Sequence, residues 1–102
     1  MIPLDVHYDV YGWMVNYLKN TSEIRCFAII YTYTKEKGSF DSGLKCLAEI
    51  MQCSEQSARA AVQRLVSKCL IHQELITTGI GRHCRYTVEK GEVKKMRSTE
   101  RR

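Results

Sequence analysis

Gln56, Arg59, Ala60 and Gln63 fall at positions that share one face of a helix in the stretch EQSARAAVQRL, residues 55–65. A glutamine carboxamide can make two hydrogen bonds to adenine, and an arginine guanidinium can bridge O6 and N7 of guanine. The set therefore carries the chemistry of reading base edges. Around it stand groups suited to phosphate oxygens, which position a partner without reading its sequence: Lys45, Ser54, Ser57, Arg64, Arg82, His83 and Arg85. Glu55 could face cytosine N4, but it serves equally as the negative charge that favours a helix start, and it is not counted among the readers.

Two short amphipathic segments must hold these groups. Leu44, Leu47, Ala48 and Ile50 or Met51 give the first an apolar stripe at helical spacing, and Ala58, Ala61, Val62, Leu65 and Val66 give the second another. The link Met51-Gln52-Cys53-Ser54 suits two helices that cross steeply, and Ser54 is placed to cap the second by accepting the N–H of Ser57 or Gln56. The spacing predicts a helix-turn-helix over 43–68.

Upstream, residues 2–10 read as an extended arm, with Pro3 excluding a helix interior and Val6, Tyr8 and Val10 alternating with polar residues. Tyr11 to Leu18 is a short helix whose Trp13 is assigned to the core. Thr21 or Ser22 is expected to cap a longer scaffold helix, SEIRCFAIIYTYTKEK, with Glu23 in its first turn and Lys35 and Lys37 in its last. Its β-branched run also suits a strand, but length and capping favour helix. Residues 38–43 form a loop in which Phe40 can pair as a short extended segment, and Asp41 or Ser42 is expected to cap the next helix. Residues 70–77 and 83–88 read as strands of a hairpin, its tip spanning 78–82 with two glycines.

The fold class is therefore mainly α with a small β-hairpin wing, an α+β winged helix-turn-helix of about four helices. One domain is expected over 1–89, with the wing at 70–88. Residues 90–102 carry six basic side chains against two acidic ones and no core-forming pattern, so they are expected to be a basic mobile tail or linker. The net charge of +5 is concentrated there. In the body, acidic residues gather early and basic ones between 54 and 88, a one-sided distribution that fits a polyanion.

Several function classes fall away. His7, His72 and His83 are scattered, no G-x-S-x-G, H-E-x-x-H or phosphate-binding loop occurs, and no carboxylate pair stands out, so the chain is not expected to be an enzyme or to carry a cofactor. Five cysteines without a C-x-x-C pair read as free thiols of a reducing compartment, not as a metal site or disulfide framework. No apolar run is long enough to span a membrane and the N-terminus lacks a secretory pattern, so a cytoplasmic protein without membrane association is expected.

From Trp13 to Val88 the chain resembles the winged helix-turn-helix domain of phage and plasmid replication proteins and related phage regulators. The resemblance rests on WMVNYL, on SEIRCFAIIYTYT, on the block SGLKCLAEIMQCS and on LVSKCLI. It implies binding of double-stranded DNA in replication initiation or transcription regulation, with the helix 55–68 in the major groove and the wing on the backbone or minor groove. Two departures stand out. Gly43 occupies the place of a serine in such domains, and Cys69 that of the glycine which ends the recognition helix. Left-handed cysteine would be strained by roughly 1 kcal/mol or more, so the helix is expected to end in another way. The alternative to DNA binding is a winged helix used for protein association, for example a phage protein that inhibits or recruits a host or replication complex. A homodimer through the N-terminal arm and first two helices, using Tyr8, Tyr11, Trp13, Tyr17 and Tyr33, would double weak DNA contacts.

Overall fold

A computed structural model describes residues 8–18 and 20–100, with side chains through Lys95. Among these residues the order is α1 (Gly12–Leu18), α2 (Thr21–Lys37), α3 (Gly43–Met51), α4 (Glu55–Ser67), β1 (Ile71–Thr78), β2 (Gly81–Val88) and α5 (Lys90–Glu100). Four helices followed by an antiparallel hairpin make a winged-helix-like α+β fold, to which α5 is added. Most of the expected N-terminal arm, residues 1–7, lies outside the described residues.

Helix α2 is the scaffold. Cys26, Phe27, Ala28, Ile29 and Ile30 are all buried, because α1, α3, α4 and β2 pack around it. Its cap is Asn20, not Thr21 or Ser22: the Asn20 Oδ1 accepts the Glu23 N–H at 3.1 Å. Asparagine caps as well as serine does, and starting the helix one residue earlier adds one backbone bond, from the Ile24 N–H to the Asn20 carbonyl. Gly38 ends α2 in the left-handed region, its N–H donating to the Thr34 carbonyl. Glu23 does more than complement the helix dipole. Its buried carboxylate accepts from Lys68 Nζ at 2.6 Å and ties the first turn of α2 to the end of α4.

The two helices of the helix-turn-helix end in the same way. The N–H groups of Gln52 and Cys53 reach back to the carbonyls of Glu49 and Ala48, and those of Cys69 and Leu70 to Val66 and Leu65. Both are six-to-one endings that require a left-handed residue, and the residues placed there are Gln52 (φ 59°) and Cys69 (φ 62°). The expected avoidance of left-handed Cys69 is therefore wrong. Burial of Leu70 beside Leu65 forces the reversal whatever residue stands at 69. Cys69→Gly should accordingly stabilise the fold by about 1 kcal/mol, read as a rise in urea midpoint at constant m-value; a fall would mean that the thiol makes a compensating contact. At the other end, Ser54 caps α4 as expected, accepting the Ser57 N–H at 3.1 Å. Ser42 flanks α3 but makes no side-chain capping bond, since its own backbone is already helical.

The hairpin runs in register from Ile71↔Val88 to Thr78↔Gly81, so its tip is only Gly79-Ile80, shorter than the five-residue loop expected. The Thr78 hydroxyl closes it, donating to the Gly81 carbonyl and accepting from the Ile80 N–H. Phe40 forms the expected extended pairing with Tyr86 through two 2.8 Å backbone hydrogen bonds. Its ring lies edge-on to Tyr33 at 4.8 Å and stacks with Tyr86 at 6.3 Å.

Residues 90–100 correct the expectation of a mobile tail. They form α5, which packs against α1 and buries Val93. Glu89 sets its start: the Glu89 N–H donates to Leu70, its carbonyl accepts from Val93, and its carboxylate accepts from Gly91 and pairs with His72. The pairing with His72 first, and the Gly91 N–H second, hold this exposed carboxyl below the usual carboxylate range. The aromatic residues proposed for a dimer face are largely consumed within the chain. Trp13 is buried against Phe27 and Tyr31, Tyr11 stacks on Trp13, and Tyr33 packs on Phe40. Tyr17 alone of the five is exposed.

Candidate nucleic-acid interface

Burial of Ala58, Ala61, Val62 and Leu65 fixes the rotation of α4 and so decides what it shows to solvent. Gln56, Arg59, Gln63 and Arg64 are exposed, and Ala60 is half-buried. No ion pair engages Arg59 or Arg64 among the described residues. Arg59 also lies within electrostatic range of the Tyr86 phenol, whose ionisation burial opposes and the arginine favours. Ser54 and Ser57 are exposed at the start of α4. Ser54 spends its hydroxyl on the cap and on donation to Ser57 Oγ at 3.1 Å.

A second cluster forms where the wing folds back toward α3. Lys45, Arg82 and His83, distant in sequence, line one groove of about 640 Å³ with Ser42 and Gly43 at the start of α3. Gly43 adopts φ 88°, and a Cβ there would lie 3.8 Å from that of His83, so the loop before α3 runs directly beside β2. Because Ser42 does not cap with its side chain, the first N–H groups of α3 add their partial positive charge to the groove. Leu44, Leu75 and Cys84 complete its wall. The chemistry suits a phosphate held by a lysine, an arginine and helix-end amides.

The family-model scan finds no match for this chain, and neither does the search of curated proteins.

Arg85 does not join the groove. Its guanidinium lies 3.7 Å from Asp41 and 4.0 Å from Glu74, a bridge between the loop before α3 and the wing. The pairing register explains this, since Glu74 stands directly opposite Arg85. Of the seven phosphate candidates, then, Lys45, Arg82 and His83 converge, Ser54, Ser57 and Arg64 lie along α4, and Arg85 is committed to two carboxylates. Sequence reasoning missed Arg25, whose guanidinium donates to the Met51 carbonyl at 2.9 Å and braces the turn between α3 and α4. Nothing in residue spacing pointed to it, because the contact joins elements 26 positions apart. Among the described residues, no group of three or more His, Cys, Asp or Glu side chains could hold a metal, and no helix is long and apolar enough to cross a membrane. The buried Cys26 thiol is pushed up to about 12, chiefly by burial, and is no candidate nucleophile.

Proposed function

We propose that this protein binds double-stranded DNA through α4 in the major groove, as a phage or mobile-element regulator or replication factor. The observation that carries the reading is the exposed row Gln56, Arg59 and Gln63 on α4, together with the convergence of Lys45, Arg82 and His83 at the wing. The row supplies paired donors and acceptors for base edges, and the convergence supplies a phosphate clamp that sets the helix in register.

Selection from random-sequence duplexes followed by sequencing tests it, and an enriched motif is the expected result. Arg82→Glu should weaken binding to every retained sequence alike and lower the salt slope by about one, because one phosphate contact and its released counterion are lost. Weakening confined to one sequence would assign Arg82 to base reading instead.

A second reading is supported by exposed apolar residues around the same surface: Val66, Leu75, and Ile80 at the wing tip. These fit a protein partner better than a phosphate backbone, and failure to retain any duplex would move the assignment to protein association.

A further inference from the structure

A cavity of about 620 Å³ opens between the end of α2 and the first turns of α5, away from every residue of the proposed DNA surface. Tyr31, Val88 and Val93 form apolar walls, and Lys35, Lys90 and Lys94 stand around them with no carboxylate among the lining residues. Lys35 is held in place: its Nζ donates to the Tyr11 hydroxyl at 3.2 Å and lies over the Tyr11 and Tyr31 rings. Lys90 and Lys94 are exposed, and neither has an ion pair among the described residues. Thr34 also lines the cavity, although its hydroxyl oxygen is closed off from solvent and has no hydrogen-bond partner among the described residues.

The geometry points to a binding site for a small amphipathic anion, an acyl or aryl carboxylate whose apolar body lies on Tyr31, Val88 and Val93 and whose acid group meets the three lysines. The volume falls within the roughly 300–1,000 Å³ usual for small-molecule pockets, which likewise combine apolar walls with a few convergent polar groups. A phosphodiester backbone would use the lysines but leave the apolar walls unused, so the inference stands apart from the DNA reading. Occupancy would tie α5 to the scaffold helix, since the walls come from α2, the end of β2 and α5.

Decanoate below its micellar concentration is the probe, with acetate as the headgroup alone, both titrated into the full chain. Trp13, the sole tryptophan, packs 5.4 Å from Tyr31 and reports occupancy by its fluorescence. Saturable decanoate binding and none by acetate are expected. The double variant Lys90→Glu, Lys94→Glu should weaken decanoate by about tenfold, with unchanged far-ultraviolet dichroism, since both side chains are exposed and glutamate at position 90, in the first helical turn, suits the dipole. Three results would each overturn the assignment: equal decanoate affinity in the variant, acetate binding as tight as decanoate, or no saturable binding. Binding to anionic phosphatidylglycerol vesicles without binding of free decanoate would also overturn it, in favour of a lipid surface. Loss of duplex affinity in the variant, with no decanoate site in the parent, would assign the lysines to DNA.

Discussion

Phe40→Ala should destabilise the protein by about 3–5 kcal/mol. Phe40 has no exposed surface and sits between Tyr33 of the scaffold helix and Tyr86 of the wing. Removing the ring forfeits its transfer free energy and leaves a cavity that cannot collapse, because both neighbours are held by their own elements. The two backbone hydrogen bonds to Tyr86 survive only as long as that packing keeps the strands aligned. Urea unfolding followed by circular dichroism measures the loss. Phe40→Leu, which keeps most of the volume, should cost less than about 1.5 kcal/mol. A loss below about 1 kcal/mol for alanine would mean that the wing is anchored elsewhere.

Arg59→Ala is expected to abolish motif enrichment while sparing the fold. If Arg59 bridges a guanine, its loss should weaken binding to the preferred sequence by about 1–3 kcal/mol, roughly 5- to 150-fold, and shift weak background binding far less. The side chain is exposed and makes no ion pair among the described residues, so the thermal midpoint should hardly move. Arg59→Lys separates the two ways an arginine can act. It keeps the charge and loses the planar two-pronged contact, so background affinity should persist while the motif is lost. Equal weakening on all sequences by alanine, with full rescue by lysine, would reduce Arg59 to a phosphate contact.

The helices and wing were legible because their signals are local. Apolar stripes, the Ser54 cap and the glycines around the hairpin tip each act within a few residues, and the fold satisfies them where they stand. Scaffold helix α2 also resolves an ambiguity, since its β-branched run is stiff but is surrounded by partners on every side. What escaped depends on distant neighbours. Helix α5 has few apolar residues, and only its packing against α1 turns Val93 into an anchor. Left-handed Cys69 follows from the burial of Leu70, and the committed Arg85 from carboxylates at positions 41 and 74. The same holds for the candidate interface: α4's outward face could be read from its period, whereas the meeting of Lys45 with Arg82 and His83 needed the fold.

The hairpin is anchored most firmly at its root. β1 buries Ile71 at its root and leaves most of its remaining length exposed, while Tyr86 and Val88 hold β2 near the same root and Ile80 stands fully in solvent at the tip. Opening free energies should therefore grade along the wing, from close to the global value at Ile71 and Val88 to near zero at the Gly79-Ile80 tip. Such a gradient lets the outer hairpin follow the local width of whatever it touches, while the rung at Phe40 and Tyr86 keeps that motion from reaching the core.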